Sequence, residues 1–271
     1  MNELLLKAYG LARQPFPRTD PDCAGRFESA DLKNALGAVR YTMDELGICA
    51  IYGDTGRGIS YTARCAARDP AASNCTVKYI PCCHVCPRDM YKEACRVIGA
   101  SPAGKGRQEM ITAIRETARS LKQQGRPLFL ILDRAQNLPD LFFRDLVSMV
   151  HEDYGQENLM LLLLGGDKEL KYRLASPEHK DMYDSLAAHW EFRGFTEDEC
   201  RSFVRQRLEQ AGGSLEIIRD DVLSHLYSLS GSGSCRELGN LMRDALLIGA
   251  QSGLPVIDMN VARSALKHRE L

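Results

Sequence analysis

The amino-acid sequence reads as an α/β protein, a parallel sheet with helices on both faces, followed by a small all-helical domain. Three observations carry this reading. Short apolar runs alternate with longer helical patterns over the first two-thirds of the chain, the order that builds parallel sheets. One such run, Ile48-Cys-Ala-Ile-Tyr52, leads into the turn Gly53-Asp-Thr-Gly-Arg-Gly-Ile-Ser60 and then into a stretch without glycine or proline, Tyr61 to Arg68. From Thr196 onward every segment has helical spacing.

The elements follow in order. After Tyr9-Gly10 comes a proline- and aspartate-rich stretch to Asp22, read as an ordered loop or lid. Ser29 through Leu46 places Leu32, Ala35, Leu36, Val39, Met43 and Leu46 at helical spacing, with Ser29 as a cap. Beyond the glycine turn, Cys75–Ile80 reads as a strand and Asp89–Gly99 as a helix. Arg107–Gln124 is a helix with Ile111, Ile114, Ala118 and Leu121 on one face, and Pro127–Asp133 is an apolar strand ending in an acid. A helix over Leu141–Val150, a strand over Leu159–Leu164, a helix over Lys168–Leu174 and a short strand near His189–Phe192 complete the alternation. The helical part comprises Thr196–Ala211, Asp220–Ser230, Ser234–Ala250 and Val256–His268, the first opened by a capping box of Thr196 and Glu199. The expected domains are therefore 1–194 (α/β) and 195–271 (helical).

Composition sets limits on function. The chain has 271 residues, a formal charge of -1 and 44% hydrophobic residues, as expected of a globular protein without general attraction to nucleic acid or anionic membrane. Its longest apolar runs, such as Leu159–Leu164, fall far short of the roughly 20 residues that cross a bilayer. The N-terminus lacks the pattern of a secretory signal, so a cytoplasmic location is expected. Ten cysteines are scattered rather than arranged as a disulfide framework. Cys83-x-x-Cys86 with Cys82, His84 or Cys95 has spacing that zinc can use. No second pair accompanies it, and small buried thiols are the favoured reading.

The glycine turn carries the chemistry. A phosphate-binding loop has the pattern G-x-x-x-x-G-K-[ST], and Gly53, Gly58 and Ser60 match it while Ile59 stands at the lysine position. In a nucleotide-binding version, the amides of Gly56, Arg57, Gly58, Ile59 and Ser60 face phosphate from a helix N-terminus. Ser60 would ligate magnesium and Asp133 would hold it through water. Basic residues cluster at Arg115, Arg119, Lys122 and Arg126 and at Arg201, Arg205 and Arg207, patterns more often solvated faces than binding sites. Lys105-Gly-Arg107 is a candidate loop contact for a nucleic-acid backbone, and Trp190 reads as core packing.

Over nearly its whole length the chain resembles the AAA+ ATPases of the ExeA and TniB/TnsC type, the ATP-binding proteins of bacterial transposition and of one secretion system. The resemblance rests on Tyr9-Gly-Leu with Pro15-Phe16, the glycine turn, Leu130-Ile-Leu-Asp133 with Ala135-Gln-Asn-Leu138, Leu161–Gly165, Phe195-Thr-Glu-Asp-Glu199, and Cys235-Arg-Glu-Leu238. It implies a P-loop NTPase sheet and a helical lid. Gly53, Asp54, Thr55, Gly56, Arg57, Gly58, Ile59, Ser60 and Tyr61 would contact ATP or ADP. Residues 7–22, with Phe16, would cover the adenine, Asp133 would be the magnesium-side acid, and Arg236 the arginine that senses the γ phosphate. It also implies self-association into a ring or filament, with DNA or a transposase as partner.

The chain departs from that family at three catalytic positions. Ile59 replaces the lysine, Arg134 replaces the glutamate that orients water, and Ser185-Leu-Ala-Ala-His189 falls where an arginine finger is usual. An arginine finger alone is worth about 10³-fold or more in phosphoryl transfer. The expectation is a transposition regulator that binds nucleotide weakly with little or no hydrolysis. The alternatives are an active ATPase driving assembly on DNA and a secretion-type ATPase module.

Overall fold

The computed structural model describes residues 2–17, 25–83, 86–152, 157–231 and 233–267. It has two compact units. One comprises residues 31–55 and 59–192, and the other residues 1–30, 56–58 and 193–271.

The first unit is built on a five-stranded parallel sheet in the order β2-β3-β6-β1-β7. The strands are β1 (Gly47–Gly53), β2 (Thr76–Pro81), β3 (Leu128–Asp133), β6 (Met160–Gly166) and β7 (Leu186–Phe192), while β4 (His151–Glu152) and β5 (Glu157–Asn158) form a separate antiparallel pair. The helices are α2 (Ala30–Glu45), α3 (Ile59–Ala67), α4 (Pro87–Ile98), α5 (Arg107–Gln123), α6 (Asp140–Val150), α7 (Lys168–Ala175) and α8 (Lys180–Asp184).

Every residue of β1, β3 and β6 is buried, as the continuous apolar runs require for central strands covered on both faces. One face carries Ile48, Ala50, Leu130, Leu132, Leu162 and Leu164 against Met90, Tyr91, Ile114, Phe142 and Leu146 of α4, α5 and α6. On the edge, β7 alternates exposed Ala187 and His189 with more sheltered neighbours, as an edge strand should. A side-chain bond ties α2 to the edge strand β7, the Trp190 indole N–H donating to Asp31 at 3.1 Å. Trp190 is thus half-buried and hydrogen-bonded rather than deep core.

The second unit is helical. It holds α1 (Asn2–Tyr9), α9 (Glu197–Gln210), α10 (Asp220–Leu229), α11 (Cys235–Gln251) and α12 (Met259–Lys267). The capping box at Thr196 forms as the sequence predicts, with Glu199 N donating to Thr196 Oγ1 and Glu199 Oε2 accepting from Thr196 N. The core joins Leu5, Tyr9, Leu11 and Phe16 to Phe203, Leu208, Leu226, Leu241 and Leu246.

Two sequence expectations change here. Residues 1–30 cluster with the helical unit rather than with the α/β domain, because Leu5, Tyr9, Leu11 and Phe16 bury themselves among its helices. A helix, α1, also stands where the sequence pattern suggested no element. Part of the expected lid, residues 18–22, lies outside the described residues, as do His84 and His268.

Candidate nucleotide site

The register of the sheet brings the singled-out residues of three strands to one edge. Asp133, the last residue of β3, pairs in register with Gly165 of β6, which pairs in turn with Ile51 of β1. Carboxyl ends of parallel strands are where such sheets bind ligands. Gly53 ends β1, and only glycine fits there, because a Cβ would stand 2.7 Å from the Phe192 carbonyl oxygen.

In the turn that follows, Gly56 and Gly58 have φ of 88° and 98°, the region that side chains resist. Ile59 and Ser60 then open α3. The chain therefore makes the strand, glycine turn and helix of a phosphate loop, with main-chain N–H groups of the first helical turn lacking intrahelical partners. Asp54 is ion-paired to Lys168 at 2.5 Å, and Thr55 is exposed. Tyr61 is half-buried on α3.

Ile59 is buried, its Cγ2 3.6 Å from the position a Cβ on Gly165 would take. The place that a lysine ammonium would occupy in a phosphate loop is thus an apolar contact. Ser60 Oγ donates to Asp133 Oδ1 at 2.9 Å, so the serine and acid expected to cooperate are brought together. Arg134 takes the left-handed conformation (φ 60°) and is exposed, and its amide donates to Asp133 Oδ1 at 3.1 Å.

The helical unit holds the remaining residues. Gly56 accepts hydrogen bonds from Arg236 N at 3.1 Å and from the Cys235 thiol at 3.0 Å, at the N-terminus of α11. A Cβ on Gly56 would stand 2.6 Å from Ser234 Oγ, the cap of that helix. Burial pushes the Cys235 thiol up to about 11, which keeps it protonated. Arg236 itself is exposed. Phe16, expected on the adenine, is 3% exposed and lies in the core with its ring 6.1 Å from that of Phe203.

Three side chains near the strand ends were given no role by the sequence pattern. Tyr79 of β2 donates its hydroxyl to Asp133 Oδ2 at 2.5 Å. Burial, then the Asp133 hydrogen bond and charge, push that hydroxyl well above its usual value, partly offset by the Arg64 guanidinium beside it. Gln136 donates to Asp167 Oδ2 at 2.8 Å, and Asp167 caps α7. Only the order of strands could have revealed Tyr79, since β2 and β3 are far apart in sequence and adjacent in the sheet.

Magnesium was expected on Ser60 and Asp133, and the donor set does not fit it well. Both Asp133 oxygens already accept protein hydrogen bonds, and a guanidinium lies close by. Zinc has no cluster of three or more ligands among the described residues. Cys86 donates to Asp89 Oδ2 at 2.9 Å, Cys95 to the Met110 carbonyl at 3.8 Å and Cys82 to the Ile80 carbonyl at 3.7 Å.

The basic clusters are largely paired. Arg119 and Arg115 are ion-paired to Glu152, Lys122 to Glu157, Arg107 to Asp145 and Arg201 to Asp220. Among the described residues, no helix is long and apolar enough to cross a membrane.

The parallel sheet, glycine turn and helical C-terminal region define the P-loop fold of AAA+ type. Residues 43–174 match the AAA domain family. The chain is 24% identical over 245 residues to general secretion pathway protein A of Aeromonas hydrophila, covering 89% of this chain and 44% of that protein. It therefore spans less than half the length of this curated relative. Among solved structures it is similar to the Aeropyrum pernix ORC2 protein in its ADPNP-ADP complexes, at 17% identity and a TM-score of 0.65, covering 95% of this chain and 72% of that one. It is also similar to the Aeropyrum pernix ORC1 protein in complex with DNA, at 16% identity and a TM-score of 0.63, covering 98% and 69%. These likenesses are of fold.

Proposed function

We propose that this chain binds ATP or ADP at the Gly53–Ser60 turn with little or no hydrolysis and acts as a nucleotide-responsive regulator of an assembly. The observation that carries the reading is the contrast at the turn. The main-chain scaffold is intact, with glycines at positive φ leading into the α3 N-terminus, while the lysine position is the buried Ile59. Amides and a helix terminus attract phosphate without any side chain. Losing the lysine costs about 1.5–3 kcal/mol for a charge-assisted hydrogen bond, roughly ten- to a hundredfold in affinity. Turnover fails for a different reason: Arg134 cannot orient water as a carboxylate does.

The Aeropyrum pernix ORC2 relative carries ADPNP and ADP in its complexes, which supports the nucleotide part of the reading. For partners, the reading is self-association through the nucleotide domain and action on DNA or on a transposase. The DNA complex of the ORC1 relative supports it, with Lys105 on an exposed loop as the candidate backbone contact. A second reading is the ATPase portion of a secretion-pathway protein, favoured by the identity with protein A of Aeromonas hydrophila.

Calorimetric titration of ADP and ATP, with phosphate release followed in the same samples, tests the proposal. Binding with turnover below the detection limit is expected. Rapid turnover would overturn the regulator reading, and absence of binding at millimolar nucleotide would overturn the site.

A further inference from the structure

Three acids stand at the carboxyl ends of strands of the α/β unit, Asp54 after β1, Asp133 closing β3 and Asp167 after β6, and each is engaged by protein donors. Asp54 is ion-paired to Lys168 at 2.5 Å. Asp167 accepts from Glu169 N at 2.9 Å and from Gln136 Nε2 at 2.8 Å. Asp133, 6% exposed, accepts Ser60 Oγ and Arg134 N on one oxygen and the Tyr79 hydroxyl at 2.5 Å on the other.

A magnesium ion at such a loop keeps several waters, and those waters need carboxylate oxygens to donate to. The oxygen that would take them is capped by Tyr79. Tyr79 is half-buried in β2, opposite Ile131 of β3 and two residues from the position that pairs with Asp133. Arg64, one helical turn beyond Ser60 on α3, stands beside the Tyr79 hydroxyl and adds positive charge where a dication would need negative. The glutamate that would add a second carboxylate is Arg134.

We propose that this loop takes the nucleotide polyphosphate free of divalent cation, and that the Tyr79 hydroxyl bound to Asp133 is the group that excludes the cation. The inference rests on the nucleotide reading above and deepens it, naming the ionic form of the ligand. Magnesium in solution then competes with the protein for the phosphates instead of bridging the two.

The test is calorimetry of ADP and ATP with the full chain, once in excess magnesium and once in EDTA. The affinity is expected to be unchanged or weaker in magnesium, and Mn2+ bound to ADP should give the same electron paramagnetic resonance spectrum with and without the protein. Affinity at least tenfold tighter in magnesium, or a new protein-dependent manganese signal, would overturn the inference while leaving nucleotide binding in place. No binding in either buffer would overturn the nucleotide reading and this inference together. Tyr79→Phe removes the cap but keeps the ring. In that variant, checked for folding by thermal melting, magnesium should tighten binding by roughly three- to tenfold, the range for one hydrogen bond. A variant as indifferent to magnesium as wild type would show that Tyr79 is not the excluding group. The wild-type comparison and the manganese spectrum do not depend on the variant folding.

Discussion

Ile59 lies over Gly165, its Cγ2 3.6 Å from where a Cβ on that glycine would be, and Gly165 pairs with Asp133 at the end of the neighbouring strand. The packing turns the charged corner of a phosphate loop into an apolar contact. It is compatible with the fold because burial of a branched side chain at the first residue of α3 strengthens helix–sheet packing, worth about 1.5–3 kcal/mol for full burial of such a side chain.

Ile59→Lys is therefore expected to act in two opposite directions. Without nucleotide, an ammonium replaces a buried methyl contact, and the melting temperature should fall by an amount equivalent to about 1–3 kcal/mol. With ADP, a charge-assisted bond to phosphate is added, and affinity should rise roughly tenfold or more. Scanning fluorimetry and calorimetry on one preparation separate the two effects. A variant with unchanged ADP affinity would place phosphate elsewhere.

Gly56→Ala tests the turn within the helical unit. Its φ of 88° disfavours alanine, and the new Cβ would meet Ser234 Oγ at 2.6 Å and Arg236 Cβ at 3.3 Å. The expected loss is about 1–3 kcal/mol, read from urea unfolding. Gly10→Ala, also at positive φ but with nothing within 4 Å of the added carbon, should cost about 1–2 kcal/mol from conformation alone. Equal losses in the two variants would show that the Ser234 clash is relieved.

Asp145 links pH to stability. It is 7% exposed and hydrogen-bonded to the Tyr91 hydroxyl and the Arg107 guanidinium. Burial alone would raise its carboxyl, but those hydrogen bonds and the Arg107 charge hold it below the ordinary range. The folded-state value is depressed, so the stabilisation is complete above the unfolded value, about 3.9, and disappears as pH falls through the folded value. Asp145→Ala should cost about 2–3 kcal/mol near neutral pH, the lower part of the range for a broken buried pair because Arg107 is half-exposed. The difference from wild type should shrink as the pH drops below about 4, measured by denaturation at stepped pH. A constant difference down to about pH 2, below the ordinary carboxylate range, would remove Asp145 from the linkage.

If the chain acts on DNA, its basic residues should divide by whether they are already paired. Lys105→Ala should weaken binding and reduce the salt slope by about one. Arg119→Ala removes a charge already neutralised by Glu152, and should leave DNA affinity within about twofold while changing stability by less than about 1 kcal/mol. Fluorescence anisotropy at several salt concentrations gives both numbers. A larger effect from Arg119 than from Lys105 would move the interface to α5.

The alternation of apolar strands and helices was legible because central parallel strands, buried on both faces, must be apolar throughout, as β1, β3 and β6 are. The glycine turn was legible because positive φ at Gly56 and Gly58 demands glycine. The helix α1 was not, since its pattern gains meaning only from partners more than 230 residues away, Leu5 and Tyr9 sharing a core with Leu241 and Leu246. Phe16 was placed on a ligand by resemblance, yet the same apolar ring satisfies a protein core equally well, and the packing with Phe203 settled where it went. Local chemistry at the turn is written in the residues themselves: an amide-rich loop with isoleucine for lysine and arginine for glutamate. What surrounds that loop follows from long-range packing. Tyr79 reaches Asp133 because β2 lies beside β3, and Arg119 of α5 meets Glu152 of β4 across more than thirty positions of chain. Local spacing is blind to both, because strand order and helix docking are set by contacts between segments remote in sequence.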